Sequence, residues 1–263
     1  MMMTDSAAEL IVEVVDGGVA IVTLNRPKVR NAINATLTRE IEAVVKRIEA
    51  DDAIGAAILT SSHEKFFCAG ADLSEISAGR GHMLETAEGG FAGFVRARRA
   101  KPWIAAIRGA AFGGGCELAL ACDMIVASED AQFALPEVKR GLYAGAGGAY
   151  RLARRLPRNI ALELLATGGV LEASRGFALG LVNRVTPASE VSSTAIELAR
   201  AISANAPLSV RESLAVARLA NDMPETDLFN LSEQARERIC ASDDAQEGTR
   251  AFFEKRPPVW KGL

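Results

Sequence analysis

An α/β fold is predicted for this 263-residue chain, and three observations predict it. Short apolar, strand-like runs alternate with helix-periodic stretches through about residue 185. From Ala188 onward the signals are almost all helical. Apolar residues make up 49% and charged residues 24%, ordinary values for a globular chain long enough to bury a sizeable core.

The elements follow in order. Leu10–Val15 and Val19–Asn25 read as a hairpin of strands, with Asp16-Gly17-Gly18 supplying the turn. Thr36–Ala50 places Ile41, Val44, Val45 and Ile48 at helical spacing. Ala56–Thr60 is a short apolar strand. Pro102–Ile107 and Met124–Ala127 repeat that signal, with a helix-like Glu117–Ala121 between them. Ser74–Ala100 holds several glycines and few β-formers, and reads either as a mobile, substrate-shaping segment or as a loose surface helix. Asp244 followed by Glu247 reads as a capping box opening a last helix, which Pro257-Pro258 stops. There is no internal repeat, and only a change of character near residues 190 to 200 suggests a boundary.

Composition narrows the function. Net charge is -3, with 30 basic and 33 acidic side chains, so no nucleic-acid partner is expected. The basic groups Arg96, Arg98, Arg99, Lys101 and Arg154, Arg155, Arg158 read as solvated helix faces. Cys68, Cys116, Cys122 and Cys240 lack CxxC spacing and read as small buried hydrophobes of a reducing compartment. The opening MMMTDSAAEL has no basic n-region, and no apolar run approaches ~18 residues. No membrane partner is expected, and the cytoplasm is the default location. With only His63 and His82, neither a Ser-His-Asp hydrolase nor a tetrahedral metal site is supported. Gly113-Gly114-Gly115 lacks the Lys-Ser/Thr of a phosphate loop, and Gly145-Ala146-Gly147-Gly148 lacks the dinucleotide fingerprint.

What remains is a set of backbone amides and two carboxylates. Gly113-Gly114-Gly115 follows a strand and opens the helix carrying Glu117. A helix start has unsatisfied N–H groups and partial positive charge, and glycine lets another molecule approach closely. Phe67-Cys68-Ala69-Gly70-Ala71-Asp72 is a second turn leading from strand to helix. Two such turns facing each other would hold an oxyanion between converging donors. Taken alone, each piece has a plainer reading. Glu117 suits the first turn of any helix, and Pro136-Glu137 is a common helix start.

Read together, the motifs resemble the enoyl-CoA hydratase/isomerase, or crotonase, superfamily. They run from LNRPKVRNAI (Leu24 to Ile33) through FFCAGADL (Phe66 to Leu73), KPWIAAIRGAAFGGGCELALACD (Lys101 to Asp123) and FALPEVKRGLYAGAGGAYRL (Phe133 to Leu152) to AFFEKRPPVWKG (Ala251 to Gly262). The resemblance implies a crotonase-type spiral of ββα units over residues 1–195 with the active site, and a C-terminal helical trimerisation region over 196–263. It implies an acyl-CoA thioester substrate and a homotrimer or dimer of trimers. Coenzyme A belongs to the substrate, so no cofactor and no metal are expected. The Ala71 and Gly114 N–H groups match the family's oxyanion hole, and Glu117 and Glu137 match the two hydratase glutamates. Ala69, Gly70, Asp72 and Leu73 match substrate-binding positions, and Lys255 a position near the CoA 3′-phosphate.

The implied reaction is reversible addition of water across the 2,3 double bond of a 2-enoyl-CoA. One carboxylate takes a proton from water attacking C3, the role given to Glu117. The other delivers a proton to C2, the role given to Glu137. The alternatives are a crotonase-fold isomerase, a carnitinyl-CoA dehydratase, and a non-catalytic acyl-CoA-binding protein. The dehalogenase branch's aspartate position holds Gly145, and Thr36–Ala50 lacks the lysine-rich face of the RNA-binding branch. Ala144 replaces a frequent proline, and Leu142 and Tyr143 are bulkier than usual, so the acyl pocket is expected to differ. The GGFAGF and EKRPPVWKG segments look similar to carnitinyl-CoA dehydratases, although Trp103, lying in a strand, reads as core rather than as part of a trimethylammonium cage.

Overall fold

The computed structural model describes residues 8–262, so the opening segment up to residue 7 lies outside the described residues. Strand β1 (Leu10–Val15) pairs antiparallel with β2 (Val19–Leu24). The turn between them depends on glycine, because Gly17 and Gly18 have φ of 91° and 69°. Helix α1 (Ala35–Ala50) starts where the Asn34 side chain accepts the Leu37 N–H, and buries the stripe containing Leu37, Ile41, Val45 and Ile48.

Strand–strand–helix units then recur. They are β3 (Ala56–Ser61), β4 (Phe66–Cys68) and α2 (Leu73–Ser77), followed by the small hairpin β5 (Glu85–Thr86) and β6 (Gly90–Phe91). Next come β7 (Trp103–Ile107), β8 (Ala110–Phe112) and α3 (Gly114–Ala121), then β9 (Met124–Ser128) and β10 (Gln132–Ala134) with a 3-10 turn at Pro136–Arg140. Helices α4 (Gly148–Arg155) and α5 (Arg158–Thr167) precede β11 (Val170–Glu172), α6 (Ala173–Ala178) and β12 (Arg184–Thr186). In the pairs β3-β4, β7-β8 and β9-β10 the first strand enters the larger sheet, ordered β1-β2-β3-β7-β9-β12, and the second the smaller, ordered β11-β10-β8-β4; β11 then joins the smaller sheet and β12 the larger. From β2 to β12 the larger sheet is parallel. Each turn of the chain thus adds one strand to each sheet, which is a ββα spiral. Trp103 is fully buried between them, edge-on to Phe94 at 5.0 Å.

The other face of the larger sheet is covered by α7 (Val191–Ser203), whose Val191, Ala195 and Ala199 pack on Val19, Ala56, Ile104 and Val126. A boundary at 195/196 therefore falls inside a helix that belongs to the core. The outlying tail is α8 (Pro207–Ala217), α9 (Glu225–Cys240) and α10 (Asp243–Glu254). Ser242, not Asp244, caps α10, its hydroxyl accepting the Ala245 N–H. Glu247 reaches forward to Arg256 and the Val259 N–H instead of back to the helix start. Asp244 is buried beneath the returning chain and accepts the Lys261 and Gly262 N–H groups. Lys255, at φ 55°, closes α10 in the left-handed region before the prolines are reached.

Three other expectations change. Beyond the short surface helix α2, residues 78–100 form no α-helix: Gly90, Ala92 and Gly93 adopt positive φ, and the tight turns bury Phe91 and Phe94. Cys240 is exposed on α9, while the other three cysteines are buried. The first basic group is solvated only in part, with Arg96 and Arg98 exposed but Lys101 turned inward. Lys101 is 1% exposed and donates to the Ile48 and Asp51 carbonyls at the end of α1, at 2.6 and 2.5 Å. Helix ends carry carbonyls without intrahelical donors, and a long cationic side chain satisfies them. Among the described residues no helix is long and apolar enough to cross a membrane.

Lys101→Ala leaves those carbonyls without their donor in a buried place. It is expected to destabilise the fold by about 2–4 kcal/mol in denaturant unfolding, against ~0.5 kcal/mol or less for a solvated lysine.

Candidate active site

Three neighbouring parallel strands build the site from their carboxyl ends. In the smaller sheet β8 lies between β4 and β10 and runs parallel to both. The chain leaves β4 into Ala69–Asp72, leaves β8 into Gly113 and α3, and leaves β10 into Pro136-Glu137. Segments far apart in sequence thus meet at one edge.

The first two turns touch through glycine. A methyl group on Gly115 would lie 2.1 Å from the Cys68 carbonyl oxygen, and one on Gly70 would lie 2.9 Å from the Gly114 nitrogen. Gly70 also has φ 95°, and Gly113, the residue before α3, has φ 56°. Gly114 is the first residue of α3, so its N–H has no acceptor within the helix. The isolated bridge between Ile33 and Ala71 uses the N–H groups of Ile33 and Asp72, which leaves the Ala71 N–H on the opposite side of that segment. Neither the Ala71 nor the Gly114 N–H donates to another group among the described residues.

Glu117 stands one turn into α3 and is 4% exposed. Its Oε1 accepts the Gly148 N–H at 2.9 Å. Burial raises its proton affinity to about 7, with the charge of Glu137 adding and the Gly148 N–H opposing. Glu137 lies close by: its Oε1 is 3.3 Å from where a Gly113 methyl group would sit. Its Oε2 is buried without a partner, and burial raises its proton affinity against the pull of its own N–H and of Arg140. A buried and a half-buried carboxyl that both favour the protonated form, beside two uncommitted N–H donors, can exchange protons with a substrate and hold an oxyanion.

The other expected positions divide. The Ala69 N–H donates to the Arg30 carbonyl, holding the turn. Asp72 caps α2 and pairs with Arg26 at 3.1 Å. Burial opposes its charge, yet bonds from Ser74 and Arg26 keep its carboxyl below the usual range. Leu73 is exposed. Lys255 is not brought to this edge. It ends α10 in the tail with its side chain in solvent. Ala144 is buried, whereas Leu142 and Tyr143 are largely exposed.

Sequence reading missed the support beneath the first turn. Asn31 is fully buried at φ 54°. Its amide donates to the Ser61 hydroxyl and the Phe67 carbonyl, and its oxygen accepts the Arg26 N–H. Its carbonyl accepts from Cys68, whose sulfur in turn accepts the Gly70 N–H. An asparagine tolerates this backbone better than most residues, and its place in LNRPKVRNAI was the available signal. Gly148 was also missed: its glycine run reads in the sequence only as lacking the dinucleotide fingerprint and as holding Gly145 at the dehalogenase position.

Residues 15–263 match the family model described as enoyl-CoA hydratase/isomerase. A carnitinyl-CoA dehydratase of Proteus mirabilis is 41% identical over 251 residues, 94% of this chain and 96% of the relative. The crystal structure of enoyl-CoA hydratase from Mycobacterium tuberculosis H37Rv superposes with a TM-score of 0.92 at 40% identity, covering 97% of this chain and 99% of that one. That of carnitinyl-CoA hydratase from Mycobacterium avium gives 0.77 at 44% identity, over 97% and 99%.

The raised proton affinity of Glu117 has a consequence for stability. The fold favours the neutral form, so its contribution is fully present below pH 4.5 and is lost as pH rises through about 7. Glu117→Gln removes this dependence. The variant is expected to gain on the parent by on the order of 3 kcal/mol between those pH values, read from paired denaturant titrations. Parallel stability–pH curves would contradict the buried, proton-favouring environment.

Proposed function

This chain belongs to the enoyl-CoA hydratase/isomerase family, a family of crotonase-type enzymes acting on acyl-CoA thioesters, and from that premise we propose that it adds water reversibly across the 2,3 double bond of a 2-enoyl-CoA. The observation that carries the reading is the pairing of buried Glu117 with half-buried Glu137, whose buried Oε2 bonds nothing, beside two uncommitted N–H donors. A protein that only bound acyl-CoA would have no use for buried acids, which cost stability.

In this reading the thioester oxygen lies between the Gly114 and Ala71 N–H groups. Charge develops there as water attacks C3, and a lost donor of this kind typically costs 10²–10³-fold in rate. Glu117, anchored through one oxygen by Gly148, takes the proton from the attacking water. Glu137 delivers a proton to C2. Burial favours its protonated form, the form that a proton donor needs. Ala69, Gly70, Asp72 and Leu73 flank the bound thioester in this proposal. No metal or redox step is invoked, and no metal-holding group of three His, Cys, Asp or Glu occurs among the described residues.

A second reading has its own support: the relative named carnitinyl-CoA dehydratase is 41% identical over nearly the whole chain. Loss of water from a 3-hydroxyacyl-CoA is the same proton chemistry run backward, so one site serves both directions. Comparing kcat/KM on crotonyl-CoA and on carnitinyl-CoA separates them.

We further propose that the chain assembles as a trimer or a dimer of trimers. The tail buries little by itself, and Phe229, Phe252 and Phe253 are 63%, 79% and 77% exposed. Apolar surface of that kind on one helical region suits an interface. Lys255, at the end of α10, would then be presented toward a neighbouring copy's CoA.

Glu117→Gln and Glu137→Gln are each expected to lower hydration of crotonyl-CoA by about 100-fold or more, followed by loss of the conjugated thioester absorbance. Parental turnover in a folded variant would remove that residue from the mechanism. If only Glu137 matters and a 3-enoyl-CoA becomes the 2-enoyl isomer, the reaction is isomerisation.

Sedimentation equilibrium is expected to give three chains or a multiple of three, and Phe252→Asp with Phe253→Asp to release smaller species. A monomeric parent at micromolar concentration would overturn the assembly proposal.

A further inference from the structure

Behind α3, at the end away from Gly114, the surface opens into a cavity of about 680 Å³ lined by Arg96, Arg99, Arg151, Arg154, Arg155 and Arg218. Its lining contains one carboxylate, Asp123, which Arg218 takes at 2.8 Å. A second carboxylate, Asp222, pairs with Arg154 at the rim. Six positive charges thus face two negative ones.

The imbalance is concentrated in the recessed groups. Arg99 donates to the Phe94 and Ala121 carbonyls, Arg151 to Val95 and Ala146, and Arg155 to Cys122. None of these acceptors is a carboxylate. Burial lowers the proton affinity of all three; Asp123 near Arg99 and Arg155, and Glu117 near Arg151, oppose it, and neighbouring guanidiniums add to it. A carbonyl accepts a hydrogen bond but brings no full charge, and the carboxyl end of α3 supplies only about half of one. Desolvated like charges are costly unless a counter-ion joins them. The planar guanidinium fork suits tetrahedral phosphate oxygens and can hold them at two points.

We propose that this cavity is an anion site for a small phosphate-bearing dianion, either inorganic phosphate or a compact phosphomonoester. It is separate from the candidate active site, because eight-residue α3 places about 12 Å between its two ends. A nucleic acid does not fit: the chain's net charge is -3 and the arginines ring a recess. The bound anion would join four segments that meet there: the end of α3, α4, the stretch from Val95 to Arg99, and the foot of the tail at Arg218. Occupancy would therefore fasten the tail to the core.

The test is titration calorimetry of the whole chain with inorganic phosphate, and separately with glycerol phosphate, at constant ionic strength held with chloride. One saturable site per chain is expected, and the tighter ligand identifies the source. Arg96 and Arg154 are exposed rim residues, so the double variant Arg96→Gln, Arg154→Gln should fold as the parent does by circular dichroism. It is expected to bind phosphate at least about tenfold more weakly, the loss of one charge-assisted contact. Saturating phosphate should also raise the parent's Tm above that in chloride. Heats indistinguishable from chloride would overturn the proposal, as would undiminished binding in both the rim variant and Arg155→Met. If phosphate fails to bind and the rim variant instead loses its assembly in sedimentation, the cluster serves contact between copies and the anion site is wrong.

Discussion

A methyl group on Gly115 would meet the Cys68 carbonyl at 2.1 Å, and one on Gly70 would meet the Gly114 nitrogen at 2.9 Å. This near contact between two backbones organises the rest of the site. It requires β4 and β8 to be parallel neighbours, so that both chains leave the sheet at the same edge. It requires glycine on both sides, since real side chains do not approach to such distances. The first turn is also held from beneath, by the buried amide of Asn31 before β4 and the thiol of Cys68 at its end. The spiral supplies the third strand, β10, and with it Glu137.

Helix α3 is buried along nearly its whole length and is polar at both ends. Its start presents an N–H and partial positive charge beside two carboxyls whose proton affinity burial has raised. Its finish presents the Ala121 carbonyl, and Cys122 follows; Arg99 and Arg155 take these. A short buried helix with unanswered ends would be costly, so the guanidiniums have a structural role whatever else they bind. The same groups explain why the sequence's basic runs are only partly solvated, with Arg96, Arg98, Arg154 and Arg158 exposed and Arg99, Lys101 and Arg155 drawn inward. Arg99 and Lys101 sit where helices end, and their charges answer carbonyls that have lost intrahelical donors.

Much of the fold was legible. Apolar runs located β1, β2, β3, β7 and β9 to within a residue or so; β3, β7 and β9 are buried on both faces and need continuous apolar sequence, while β1 is an edge strand. The short strands β4, β8 and β10 have only three residues each, too few for any period, and no strand was assigned to them from the sequence. The family motifs led to Glu117, Glu137, Gly114 and Ala71, four residues from three segments that local reading gave ordinary roles. Contacts between distant segments were not legible. The caps of α10 misled because Ser242, Asp244 and Glu247 all suit a helix start, and only the returning chain decides which one caps. Asn31 and Gly148 act through tertiary hydrogen bonds, which carry no period and no spacing.

The central claim is that the helix start at Gly114, with Ala71, polarises a thioester carbonyl. Infrared difference spectroscopy of a saturated acyl-CoA labelled with ¹³C at the thioester carbon reads this directly, without turnover. The account predicts that the labelled carbonyl stretch moves to lower frequency on binding, and that Gly114→Pro, which lacks the donor, binds the same ligand with most of that displacement gone. A carbonyl band left at its solution frequency in the saturated complex would contradict it.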